Sequence, residues 1–179
     1  MKGTVVSEIT VAVTPVTALL RPAGACITAF RRDFPSAQLR LQEMRPAQML
    51  EHLREGTIDF ALTSQSLATA HGLDCAQACH VPTLIAGRKD HPLRKTRSLG
   101  ALLEAEWLVL DPLSDTGTPF HQLFAINGMT LPSRVVECTS MTLALEMCRQ
   151  SDLLVLPSEE SRRSRYLVDT MDFIDVDET

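Results

Sequence analysis

Apolar positions along this chain repeat in two periods, and the places where the period changes mark the elements. Ile9–Thr14 reads ITVAVT, a β-branched run that stops at Pro15 and predicts a buried strand. Leu19, Leu20, Ala23, Cys26, Ile27, Phe30 and Phe34 then recur at steps of three and four, which places them on one helical stripe. Arg21, Thr28, Arg31 and Arg32 fall mostly off that stripe, Pro22 fits only the first turn, and Pro35 ends the helix. Ala37, Leu39 and Leu41 alternate with Gln38, Arg40 and Gln42, a strand with one apolar face. Met49, Leu50 and Leu53 share one side of a second helix that closes at Gly56, and Ile58–Thr63 is a third strand. Strand, helix, strand, helix, strand is the βαβ order, which implies a parallel sheet with helices on its faces.

The pattern loosens over Ser64–His71 and resumes in a second βα-rich half from about Val81 to Val155. Leu73–Val81 and Thr83–Gly87 read as strands, and Arg88–Arg97 as a solvated basic loop. Trp107–Leu110 is a strand, Phe120, Leu123 and Phe124 mark a helix ended by Asn127-Gly128, and Arg134–Cys138 is a strand. Met141, Ala144, Leu145 and Cys148 mark the next helix, and Leu153–Leu156 a strand ending at Pro157. The tail carries two short strand-like runs, Tyr166–Val168 and Phe173–Val176, which need a partner in one of the halves.

Composition narrows the function classes. The chain has 179 residues, 45% hydrophobic and 22% charged, in the range of a globular protein. Its net charge of −5 and 4% aromatic content oppose nucleic-acid binding by this chain itself, which needs clustered cations and stacking surfaces. No apolar run approaches the roughly 20 residues of a membrane span. Neither a long apolar core nor a cleavage site stands at the start, and the five cysteines are odd in number and scattered, so reduced thiols in the cytoplasm are expected. Cys75, Cys79 and His80 form the one tight ligand-type group, without a second Cys or His pair to complete a zinc site, so no metal and no cofactor is expected. His52, His71, His80, His91 and His121 show no paired spacing and read as surface or capping residues, and Trp107 reads as core.

The motifs now on the page resemble one family, the effector-binding domain of LysR-type transcriptional regulators. ITVAVTP, the helix ending AFRRDFP, the strand LRLQE and LREGTIDFALT follow its pattern in order, as do RKDHPL and the run SMTLALEMCRQSDLLVLP. The likeness runs from about Ile9 to Pro157. Ser151-Asp152 stand where the family usually carries G-x-G, so that helix end must close differently. No stretch of this sequence matches the family's N-terminal winged helix-turn-helix, so a fragment cut to the ligand domain is expected, with DNA contacted only through that other part.

The resemblance implies a type 2 periplasmic-binding-protein-like α/β fold: two Rossmann-like lobes joined by crossover segments near His80-Val81-Pro82 and Leu156-Pro157. Lobe I would hold residues 1–80 and 157–179, and lobe II residues 81–156. It implies a small effector, an organic anion, in the inter-lobe cleft, and a dimer or tetramer whose geometry the effector changes. The first helix, Leu19–Phe34, or its arginine face, would meet the second lobe of a partner chain. Ligands of open α/β sheets sit beyond the carboxyl ends of strands, where helix N-termini offer unpaired N–H groups. That rule selects Thr14, Pro15, Val16 and Thr17, then Thr63, Ser64 and Gln65, then Thr139, Ser140 and Met141, with Pro82 at the crossover. The same hydroxyls also suit plain helix caps, and Asp115-Thr116-Gly117-Thr118 suits a plain turn as well as an anion nest. The rival is an enzyme on the same fold using a cleft thiol or carboxylate. No G-x-S-x-G, H-E-x-x-H or phosphate-binding glycine loop supports it.

Overall fold

A computed structural model describes residues 8–64, 72–164 and 167–178, and the chain divides after Cys79 into two units. In the first, β1 (Glu8–Val13) leads through α1 (Pro15–Ala18) and α2 (Arg21–Asp33) to β2 (Gln38–Glu43). From there α3 (Pro46–Glu55) returns to β3 (Phe60–Leu62). All three strands are parallel in the order β2-β1-β3, the arrangement that two βαβ crossovers generate. The long apolar stripe at the start of the chain is therefore broken in two: Leu20 is extended, and Pro22 falls in the first turn of α2, where its missing N–H costs nothing. α3 ends at Gly56, whose φ of 68° is cheap only for glycine.

Burial in this unit is one-sided. Ala12, Met49 and Ile58 form its small core. On the other face of the sheet the register aligns Val11 with Leu41 and Phe60, and Val13 with Leu62. Leu41, Phe60 and Leu62 are exposed, and α2 buries none of its residues.

In the second unit β4 (Ile85–Arg88), β5 (Glu106–Val109), α4 (Pro119–Ile126), β6 (Val135–Glu137), α5 (Met141–Gln150), β7 (Leu153–Leu154) and β8 (Met171–Ile174) follow in order. β6-β5-β7 is parallel and β4-β8 antiparallel. An antiparallel bridge between Ala86 and Val155 links the two sheets, with N–H···O distances of 3.0 and 2.9 Å. β5 is buried on both faces, as a central parallel strand should be. Trp107 and Val109 meet Ile85, Phe120, Phe124, Leu154 and Ile174 on one side. Leu108 meets Ala86, Cys138, Ala144, Cys148, Leu153 and Met171 on the other. Trp107 stands edge-on to Phe120 and Phe124 at 5.6 and 5.5 Å, and its indole N–H donates to the Leu102 carbonyl at 3.0 Å. Full burial of such rings contributes roughly 1.5–3 kcal/mol each.

The structure departs from the sequence reading in three places. The tail does not complete the first lobe: β8 pairs with β4, and Ile174 and Met171 enter the two cores of the second unit. Residues 157–159 likewise stay in this unit, where Leu84 N–H donates to the Pro157 carbonyl and Glu159 N–H to the Pro82 carbonyl. Leu73–Val81 holds no strand; apart from Leu73 and Val81 these residues are exposed, so nothing covers a strand there. Of the run expected at Tyr166–Val168, residue 166 lies outside the described residues, and Leu167 and Val168 belong to a turn.

Candidate functional site

The candidate residues sit where the chain leaves the carboxyl ends of strands. In the first unit Thr14 follows β1 directly and caps α1: its hydroxyl accepts the Thr17 N–H at 3.2 Å, and the Thr17 hydroxyl accepts the Thr14 N–H at 2.9 Å. Pro15 pre-sets the first turn. Both threonines are buried, Pro15 and Val16 half-buried. The Leu62 carbonyl, at the end of β3, accepts from Thr14 N–H at 3.1 Å and from the Thr17 hydroxyl at 2.9 Å. The fold thus brings Thr14–Thr17 to the start of the Thr63-Ser64 stretch. Thr63 is half-buried and Ser64 exposed, and Gln65 lies outside the described residues.

In the second unit Thr139, Ser140 and Met141 follow β6 and open α5, a helix of 10 residues. The Ser140 hydroxyl accepts the Leu143 N–H at 3.3 Å, and Thr139 and Ser140 are exposed. The buried Cys138 thiol donates back to the Ser140 carbonyl at 3.4 Å. At its other end α5 closes without glycine: the Ser151 hydroxyl donates to the Met147 carbonyl at 2.7 Å, and Asp152 turns to meet Arg88 at 2.7 Å. Pro82 is exposed and tied to the Glu159 turn. Asp115–Thr118 is a turn, with Gly117 N–H donating to Asp115 Oδ1 at 3.0 Å and Thr118 capping α4.

Two histidines do more than the sequence suggested. His91 is buried, not a surface residue: Nδ1 accepts the Leu93 N–H at 3.1 Å, so Nε2 carries the proton and faces the Asp152 carbonyl at 3.2 Å. His121 Nδ1 lies 2.9 Å from the Thr118 hydroxyl. The sequence signal for His91 was the Pro after it and the Gly four residues before it.

Charge and cysteine chemistry serve structure. Burial would raise the Asp172 carboxyl, but the Asp90 N–H at 2.9 Å and Lys89 at 3.2 Å, with Arg94 nearby, hold it below its ordinary value. Burial, with Cys138 adding to it, pushes the Cys148 thiol up to about 11. Cys75, Cys79 and His80 are exposed on irregular chain, and among the described residues no three His, Cys, Asp or Glu side chains gather as a metal-binding group. Within the second unit a cavity of about 260 Å³ is lined chiefly by Leu84, Ile85, Leu123, Leu156, Ile174 and Val176, and by none of the candidate residues. No described helix is long and apolar enough to cross a membrane.

Parallel sheets with hydroxyl-rich turns at their carboxyl ends, two such units in one chain, define a protein of the type 2 periplasmic-binding-protein-like α/β class. The family described as the LysR substrate binding domain matches residues 2–168, and the chain belongs to it. An uncharacterized HTH-type transcriptional regulator, YnfL of Escherichia coli K12, is 29% identical over 112 residues, 62% of this chain and 37% of that protein. The HTH-type transcriptional regulator GbpR of Azospirillum brasilense is 28% identical over 131 residues, 70% of this chain and 38% of that protein. The chain thus spans less than two fifths of the curated relatives it matches. Among solved structures, the CcmR regulatory domain of Synechocystis PCC6803 in complex with 2-PG has a TM-score of 0.76 at 18% identity, covering 96% of this chain and 82% of that one. The BenM effector binding domain with benzoate has a TM-score of 0.68 at 17% identity, covering 97% and 78%.

Proposed function

We propose that this domain senses a small organic anion and leaves it chemically unchanged. The residues proposed for effector contact are Thr14–Thr17 and Thr63–Gln65 in the first unit and, taken separately, Pro82 and Thr139–Met141 in the second. The observation that carries the reading is the exposed Thr139-Ser140 pair at the N-terminus of α5, directly beyond β6. The first N–H groups of a helix lack intrahelical partners and carry partial positive charge, which suits a carboxylate. Benzoate, the molecule held by BenM's domain, is such a carboxylate.

In the whole regulator, a cytoplasmic protein, this domain controls transcription by changing the geometry of a dimer or tetramer, and DNA is met by a separate winged helix-turn-helix. Differential affinity for two conformers drives the change. The unburied α2, with its arginines, is the proposed contact for a second copy. A thermal-shift screen against metabolite carboxylates tests the sensor reading, since a ligand that binds only the folded state raises the melting temperature by mass action. One specific carboxylate should stabilise the domain and be recovered intact. Recovery of a converted product, or stabilisation by no carboxylate, overturns the proposal.

A further inference from the structure

Four polar atoms lie within hydrogen-bond distance of the Thr17 side-chain oxygen, in a helix of four residues. Its Oγ accepts the Thr14 N–H at 2.9 Å and lies 2.9 Å from the Leu62 carbonyl, 3.0 Å from the Thr14 hydroxyl and 3.1 Å from the Thr14 carbonyl. The side chain is buried, and one of these partners is 45 residues away in sequence. A hydroxyl has one proton and two lone pairs, so this set spends its capacity within the protein.

The Leu62 carbonyl belongs to the same planar peptide as the Thr63 N–H. Fixing the oxygen therefore fixes the direction of that N–H. Thr14 N–H and Thr17 Oγ grip the oxygen from the β1–α1 turn. We infer that Thr17 is a positioning residue: its hydroxyl locks the β1–α1 turn to the Leu62–Thr63 peptide, so that this turn and the end of β3 behave as one rigid piece. The inference rests on the effector reading for its purpose, but the lock itself exists or fails without any ligand. Among the residues proposed for contact at Thr14–Thr17, Thr17 thus acts through Thr63, its own hydroxyl being engaged within the protein. A methyl in place of the hydroxyl leaves the buried Thr14 hydroxyl and one lone pair of the Leu62 oxygen without this partner, a loss that loosens both loops locally.

Amide hydrogen exchange on ¹⁵N-labelled protein, read residue by residue without ligand, tests the lock. In Thr17→Val, exchange at Thr14 and Thr63 should rise about tenfold, the change expected from losing one buried hydrogen bond. Ala12 and Met49, in the small core, should keep wild-type rates. Thr17→Ser, which restores the hydroxyl, should bring Thr14 and Thr63 back to wild-type rates. Should Thr17→Val fail to fold, Thr17→Cys, with its weak donor, carries the same comparison against Thr17→Ser. Unchanged exchange at Thr14 and Thr63 in the hydroxyl-free variant, or acceleration spread equally through the core, overturns the lock. A failed carboxylate screen alongside intact rescue by serine would sink the sensor reading and leave the lock standing.

Discussion

Gly87 leaves the space that the His91 ring fills: a Cβ on residue 87 would lie 2.6 Å from His91 Cδ2 and 2.8 Å from Cγ. Both residues are buried, and His91 reaches across to the Asp152 carbonyl, so the ring cannot simply swing away. Gly87→Ala should therefore destabilise the domain by about 1–3 kcal/mol through overpacking. Chemical denaturation read on Trp107 emission measures it, because the one tryptophan is buried in the same unit. Gly87→Ala combined with His91→Ala should cost less than the sum of the single changes, the mark of two residues in contact.

The five thiols should divide by burial. Cys26, Cys75 and Cys79 are exposed, while Cys138 and Cys148 are buried. A thiol reagent on the native protein should modify the first three rapidly and the last two only on unfolding, with mass spectrometry giving the assignment. Cys148 adds an alkaline limit. Its folded value is raised, so the unfolded chain loses the thiol proton first. The contribution is whole below the unfolded value, near about 8.5, and is lost as pH rises toward about 11. Cys148→Ala should flatten that alkaline decline in melting temperature.

Asp172 sets the matching dependence on the acid side. Its carboxyl is held low by the Asp90 N–H, Lys89 and Arg94 against the opposing effect of burial. As pH falls the unfolded chain takes up the proton before the folded one does. Stability from this group is complete above the ordinary carboxylate value, about 4, and lost as pH falls through the lower folded value. Asp172→Asn should lower the melting temperature near neutral pH and weaken its fall as pH drops below the ordinary carboxylate value, about 4. An unaltered acid profile would show that the Asp90 turn, with its φ of 58°, is held by other means.

Ser140 has two measurable roles. Losing its hydroxyl removes the cap on Leu143 and should cost about 1 kcal/mol of stability. With a carboxylate that stabilises the wild-type domain, Ser140→Ala or Thr63→Ala should weaken binding by on the order of 1 kcal/mol or more in titration calorimetry. Affinity unmoved by either change would displace the effector from these loops.

Much of this architecture was legible because it is written in local periods. The alternation in Gln38–Glu43, the helical spacing of Met49 and Leu53, and the β-branched Ile9–Thr14 each specify an element without outside help. Pairing partners carry no such mark. Nothing in Met171–Ile174 says that Ile85–Arg88 is its neighbour, and the resemblance alone points the tail to the first lobe. Leu73–Val81 looked like a strand because strand propensity describes fit to a covered surface, and most of that stretch has none. The local signal for His91, Gly87 and Pro92, falls short for a related reason: its burial depends on a backbone N–H beside it and a carbonyl 61 residues away. Thr14 and Thr17 read as strand-end hydroxyls that also suit a helix cap, but the bond from Thr17 to the Leu62 carbonyl depends on the sheet, which alone brings that oxygen near.

The antiparallel pairing of β8 with β4 joins segments that leave the ribosome at widely separated times. Until Ile174 emerges, the cluster around Trp107 lacks one of its buried members and the Ile85 edge stays unpaired. Completion of this half thus waits for Met171–Ile174, whereas the strands β1 through β3 are all present roughly a hundred residues earlier. During synthesis, every strand of the first sheet is thus available while the second half still lacks the partner of β4.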